Sequence, residues 1–223
     1  MMLLEDRYMV AFCGDCMEDI VIYVSGLLTR LGFSCGIADF TREKRISSYI
    51  PIPRPQGIDK HTTYMGTVYL PCDDDTILDS EMFVSDVVIC LCDNISDERL
   101  AQVKMDKTYL VLNENIYSLR SESAREKFIG SPDGIVIRNY TGQSLGLITM
   151  IGSKYGIKNI YALEYDSVDA VTLFRKGICN NTETYRVSPG MREVVRGLIS
   201  EILPGMDEII VGKAVTRLFG RWR

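Results

Sequence analysis

The sequence predicts an α/β protein: a doubly wound, mostly parallel sheet flanked by helices, with an amphipathic helix added at the C-terminus. Three observations carry this. Residues 8–40 read as strand, turn, helix, strand. Short apolar runs then alternate with helical patterns as far as residue 203, the signature of a parallel sheet with crossover helices. The last segment carries one continuous apolar stripe at helical spacing.

Tyr8–Phe12 is a short apolar run, the pattern of a strand buried on both faces. A turn containing Gly14 follows. Ile20, Val21, Val24, Leu27, Leu28 and Leu31 then recur at 3.6-residue spacing, and Gly32 is placed to stop that helix. Cys35–Ala38 is the second strand and ends in Asp39. The cluster Thr41-Arg42-Glu43-Lys44-Arg45 reads as a solvated turn. Pro51-Ile52-Pro53-Arg54-Pro55 opens an extended surface loop that runs to about Gly66 and holds the lone histidine, His61. Thr67–Leu70 is a strand, ended by Pro71 and the acidic run Asp73-Asp74-Asp75, which reads as solvated surface.

Asp79–Ser85 reads as a short helix, Asp86–Cys92 as a buried strand and Ile95–Val103 as a helix. Thr108–Leu112 is a strand, Tyr117–Phe128 a charged helix, and Gly134–Arg138 a strand ending in Asn139. Leu145–Tyr155 is a helix and Asn159–Leu163 a strand. Ala170–Arg175 belongs to a helix stopped near Gly177, and Pro189–Ile202 is the next helix. Pro204-Gly205 breaks the chain, so residues 1–203 are expected to form the α/β domain and residues 204–223 the terminal helix. No internal repeat and no low-complexity tract is evident.

Residues 8–40 resemble the opening unit of the ParA/MinD family, the deviant Walker A ATPases of the SIMIBI class. In that family a G-K-G-G-V-G-K-T-T loop opens the helix, and the next strand ends in an aspartate. Counted back from Gly32, the helix length and the helix-to-strand spacing match without a gap. The resemblance continues loosely, through element order, over residues 8–203. It implies a P-loop NTPase-like fold. It places Asp39 on the aspartate that orients the metal-bound water and Asn139 on an asparagine that touches the adenine. The nucleotide site it implies comprises Gly14, Asp15, Met17, Glu18, Asp39 and Asn139.

The phosphate loop departs from the family. Met17-Glu18 stand where the family has Lys-Thr, and Phe12 and Cys13 occupy the region of its signature lysine. Leu70 stands where a strand-end carboxylate would hold magnesium. A phosphate loop works because backbone N–H groups surround the phosphates while a lysine and a metal neutralise them. Here Asp15, Glu18 and Asp19 suit the positive end of a helix but repel a triphosphate, and no other G-x-x-x-x-G-K-[ST] occurs. The resemblance and this loss together imply a pseudo-ATPase with no catalytic residue and no cofactor. Such a protein would act as a positioning or scaffolding factor of the pilus-assembly (TadZ-like) or division-site type. The alternatives are an active ATPase of the same fold with a degenerate loop, an unrelated α/β sheet, and a thiol-redox or metal protein built on Cys13-Gly14-Asp15-Cys16. A C-x-x-C at a strand-to-helix junction suits redox chemistry, but the neighbouring acids oppose a thiolate. Cys90 and Cys92 are expected on opposite strand faces, which disfavours a four-cysteine metal site, so no metal is expected.

A net charge of −5 and a pI near 5.1 argue against nucleic acid as a partner. No run of 18 apolar residues is present to span a membrane, and the N-terminus lacks the pattern of a signal peptide. Seven cysteines, several within apolar runs, suit reduced thiols in the cytoplasm. In the tail, Val211, Ala214, Val215, Leu218, Phe219 and Trp222 form the apolar stripe, with Lys213, Arg217 and Arg221 flanking it. This pattern fits a helix lying in a membrane interface and resembles the family's membrane-targeting helix. The expectation is a cytoplasmic protein bound peripherally to an anionic membrane through Val211, Lys213, Val215, Arg217, Leu218, Phe219, Arg221 and Trp222. Docking on the helix's own domain or on a partner is the alternative. The protein partner is unidentified, and a homodimer is left open.

Overall fold

The computed structural model describes residues 7–50, 62–72, 84–95, 97–101, 103–115, 132–157, 159–179 and 186–220. The proline segment 51–55, His61, the acidic run 73–75, the helix expected over 117–128, residues 79–83 of the one expected over 79–85, and Arg221 and Trp222 lie outside them.

Eight strands form one sheet: β1 (Tyr8–Gly14), β2 (Cys35–Asp39), β3 (Thr62–Tyr64), β4 (Thr67–Pro71), β5 (Val87–Cys92), β6 (Lys107–Asn113), β7 (Gly134–Arg138) and β8 (Asn159–Leu163). Their order is β3-β4-β2-β5-β1-β6-β7-β8. All neighbours are parallel except β3, which pairs antiparallel with β4. The doubly wound fold class is therefore as the sequence predicts. The strand β3 was not expected. Met65 and Gly66, with φ of 49° and 81°, turn the chain between β3 and β4. Positive φ at both central residues is the geometry of a type I′ hairpin, and nothing but a single glycine marks it in the sequence.

The helices are α1 (Glu18–Arg30), α2 (Glu98–Ala101), α3 (Leu145–Tyr155), α4 (Ser167–Cys179), α5 (Pro189–Ile202) and α6 (Glu208–Phe219). The helix α2 is shorter than Ile95–Val103. The helix α4 passes through Gly177 rather than stopping there, so that glycine is not a terminator.

Side chains alternate across the sheet with period two. Val10, Phe12, Ile37, Ile89, Leu91, Tyr109 and Val111 face the core cluster shared by α1, α5 and α6. Met9, Ala11, Cys13, Val88, Cys90 and Cys92 face the opposite side, toward Ile95 and Leu100. Leu110, Leu112, Ile135 and Ile137 pack on α3. Because α1 lies between the sheet and two helices, it buries Ile20, Val21, Tyr23, Val24, Leu27 and Leu28 almost completely.

The apolar stripe of the tail is packed into this core. Val211, Ala214, Leu218 and Phe219 are buried in the same cluster as α1 and α5. Phe219 meets Tyr23 edge-on with ring centroids 5.5 Å apart. The Arg192 guanidinium lies 5.5 Å from the Phe219 ring and donates to the carbonyls of Phe219 and Gly220 at 2.9 and 3.0 Å. It thereby caps the negative end of α6. Lys213 and Arg217 are exposed and Val215 is half-buried. The helix thus shares one core cluster with α1 and α5.

Candidate functional site

The chain reverses its winding direction at β1, which has β5 on one side and β6 on the other. In open α/β sheets the crevice beyond the carboxyl ends of the strands at such a point is the ligand site. Two clefts open there, on either side of the β1–α1 loop. One, of about 530 Å³, lies between the start of α1, the ends of β7 and β8, and α4. The other, of about 570 Å³, lies between the loop, the turn after β2, and the ends of β5 and β6.

The loop itself is drawn down onto the sheet. Gly14 has φ of 124°, and a Cβ there would lie 2.1 Å from the Val111 carbonyl oxygen. The Asp15 N–H donates to that same oxygen at 3.0 Å. Only glycine allows so close an approach of two backbones. Cys16 follows with φ of 52°, and Met17 caps α1 with its side chain wholly buried among the apolar residues of the core.

The acids of the loop are engaged by arginines. Asp19, 1% exposed, pairs with Arg138 at 2.5 Å, and the side chains of both are largely buried. Burial alone would lower the Arg138 pKa, but the carboxylate of Asp19 outweighs it and holds the pKa above the ordinary value. Glu18 pairs with Arg45 at 3.4 Å. Arg45 also donates to the Gly14 carbonyl at 3.3 Å and pairs with Asp93 at the end of β5. The cluster 41–45 is therefore not a solvated turn. Its arginine reaches across the second cleft, and Lys44 donates to the Cys72 carbonyl.

Of the residues that sequence reasoning placed at the site, Glu18 lines both clefts, Asp15 the second and Asn139 the first. Asn139 sits at a strand end with φ of 55° and donates its side-chain amide to Asn113 at 3.2 Å, so it has a turn role as well as a place in the cleft wall. Met17 and Asp39 face neither cleft. Asp39 is fully buried and accepts from the N–H of Thr41 at 2.9 Å, the hydroxyl of Thr41 at 2.5 Å, the N–H of Ile46 at 3.0 Å and the hydroxyl of Tyr69 at 3.3 Å. It folds the turn after β2 around itself. Replacing one of its oxygens with an amide in Asp39→Asn should turn a donor against buried donors and cost about 1–3 kcal/mol. Urea denaturation measures it, and an unchanged midpoint would remove Asp39 as the organiser of this turn.

Sequence reasoning missed Arg45, Arg138 and Asp93. It also missed Asp169, a buried carboxylate in the first cleft that accepts from the Ser188 N–H and hydroxyl, both at 2.6 Å. Burial raises the Asp169 pKa despite those two hydrogen bonds. A hint was available: acids at the start of a buried helix require partners, and basic residues at the ends of other strands were the candidates.

The C-x-x-C cysteines separate. Cys13 is buried on the sheet face that holds Cys72, Cys90 and Cys92, whereas Cys16 is exposed at the clefts. Cys90 and Cys92 lie two residues apart and therefore share one face, which corrects the expectation of opposite faces. Burial, then Glu18, pushes the Cys16 thiol pKa up, the reverse of what a redox-active cysteine needs. Among the described residues no group of three or more His, Cys, Asp or Glu side chains is arranged to hold a metal ion.

No protein-family model and no curated protein matches this sequence. Solved structures do match it. A ParA family ATPase from Chlorobium tepidum superposes with a TM-score of 0.54 at 13% identity, covering 94% of this chain and 99% of that one. McdA from Cyanothece, in a complex with ATP, gives 0.57 at 11% identity over 97% and 98%. The MinC:MinD cell-division complex from Aquifex aeolicus gives 0.50 at 13% identity over 97% of each chain. The fold is ParA/MinD-like.

Proposed function

We propose that this protein uses the ParA/MinD-like fold without its nucleotide chemistry, as a pseudo-ATPase that positions or scaffolds other proteins, of the pilus-assembly or division-site type. The single observation that supports it best is the state of the β1–α1 loop. Gly14 brings the backbone onto Val111, Met17 is buried, and Glu18 and Asp19 face the space where phosphates would sit, each held by an arginine. A bound triphosphate would have to displace Glu18 from Arg45 or Asp19 from Arg138. At an effective dielectric near 20, each like charge about 4 Å away opposes binding by roughly 4 kcal/mol. Among the described residues no lysine lines either cleft; the cations there are Arg138, held by Asp19, and Arg45, held by Glu18 and Asp93, with Arg42 beside it.

Isothermal titration of ATP with magnesium should therefore show no saturable heat up to about millimolar concentration, an affinity of roughly 4 kcal/mol or weaker. Micromolar binding with magnesium-dependent turnover would establish the active-ATPase alternative, with Arg45 or Arg138 released to the phosphates.

The stripe of α6 is occupied by the core, so we propose recruitment through a protein partner in place of insertion of that helix into lipid. Its exposed cations, Lys213 and Arg217, remain available to an anionic surface as charges, and the apolar side chains that α6 exposes, Ile209 and Ile210, lie at its start, away from the buried stripe.

A further inference from the structure

The outer face of α4 exposes large apolar side chains, interrupted by the exposed Arg175. Val168, Val171 and Phe174 follow one another at three-residue spacing and are 38%, 46% and 67% exposed, and Tyr165, just ahead of the helix, is 68% exposed. The exterior of a helix is ordinarily polar, and adjoining exposed apolar side chains mark an interaction surface. Tyr165 and Phe174 also form the lip of the first cleft.

The cleft beside that lip is acidic. Glu164, Asp166 and Asp169 stand on its wall. Asp166 accepts from the Val168 N–H and Asp169 from Ser188, so their hydrogen bonds are to backbone and hydroxyl groups. Among the described residues none of the three is in an ion pair. The guanidinium in the cleft wall, Arg138, is engaged by Asp19.

We propose that this lip and cleft dock a basic, amphipathic segment of a partner protein. Its lysine or arginine side chains enter the cleft toward Glu164, Asp166 and Asp169, and its apolar side chains cover Val168, Val171 and Phe174. Tyr165 and Phe174 offer ring faces against which a guanidinium stacks. Charge selects this occupant over the others. Anionic lipid and free phosphate meet the same three carboxylates. A second copy docked by two-fold symmetry would set each acidic wall against its own image. The inference rests on the reading that the cleft does not take nucleotide.

The test uses the full chain and a fluorescein-labelled synthetic peptide with arginine and leucine at helical spacing, followed by anisotropy. Its counterpart has glutamate in place of arginine. The basic peptide should bind saturably and the acidic one should not. Glu164→Lys combined with Asp166→Asn should weaken binding by about tenfold or more, and so should Phe174→Ser. The matched control, Glu193→Lys with Glu208→Gln, changes net charge equally on exposed residues of α5 and α6 and should change binding by less than about threefold. Circular dichroism confirms that each variant is folded. Absence of saturable binding, an equal loss in the control, or an unaffected Phe174→Ser would each overturn the proposal. So would a dimer in sedimentation that Phe174→Ser disperses, because the occupant would then be a second copy. ATP is titrated separately. Tight ATP binding sinks the pseudo-ATPase reading, whereas the peptide results alone decide the docking surface.

Discussion

Phe219→Ala should destabilise the protein by about 3–5 kcal/mol, the usual cost of truncating a buried aromatic side chain. Phe219 is 2% exposed, packs edge-on against Tyr23 and lies beneath Arg192. Deleting the ring leaves a cavity between α1, α5 and α6, and it removes the surface on which the guanidinium rests. In a chain of this length each kcal/mol moves the melting temperature by roughly 2–4 °C, so a fall of about 6–20 °C is expected in a thermal scan. The same substitution separates the two roles considered for α6. If the helix served a lipid surface, Phe219→Ala would reduce co-sedimentation with anionic vesicles and leave the melting temperature near its parent value. A stability loss below about 1 kcal/mol would show that α6 does not belong to the core.

Arg138→Met should cost about 3–5 kcal/mol for a different reason. The substitution keeps much of the side chain's apolar volume but leaves Asp19 buried without its cation, and an unpaired buried charge is what makes breaking such a pair expensive. Among the described residues, Asp19 then keeps the N–H of Ile20 as a donor, at 2.8 Å. Replacing both partners, Asp19→Asn with Arg138→Met, removes the charge as well as the cation and should return to within about 1 kcal/mol of the parent. Denaturant unfolding of the two single variants and the double gives the coupling directly. Additive losses would mean that the pair at 2.5 Å contributes nothing specific to the fold.

Much of the scaffold is legible locally. Gly134–Arg138, Leu145–Tyr155, Asn159–Leu163 and Pro189–Ile202 have the bounds that their periodicity predicts. In each, one residue pattern meets one geometry: apolar runs for buried parallel strands, 3.6-residue spacing for helices, Pro189 for a helix start. The hairpin at Met65-Gly66 and the passage of α4 through Gly177 were not legible. A glycine marks a possible turn or stop, but whether the chain uses it depends on what packs around it.

The candidate site was half legible. That Met17 and Glu18 stand where the resemblance would put Lys-Thr can be read directly, because phosphate-loop chemistry needs particular residue types at a fixed spacing. The partners of the acids cannot, since Arg45 and Arg138 lie 27 and 119 positions from the carboxylates they engage. Asp39 shows the same limit. Its place at a strand end is local, but three of the donors that make it an organiser of the turn come from folding that turn back on it, and the fourth, the Tyr69 hydroxyl, comes from β4.

By itself the sequence determined the α/β class, the order of most elements and the lack of a G-x-x-x-x-G-K-[ST] pattern. These follow from short-range periodicity and residue type. Only the tertiary structure decided what covers the stripe of Val211, Leu218 and Phe219, and which apolar face stays bare. An apolar stripe has the same spacing whether lipid, a partner or its own domain buries it. The choice is made by the shape and free surface of α1 and α5, which exist only once the sheet has formed.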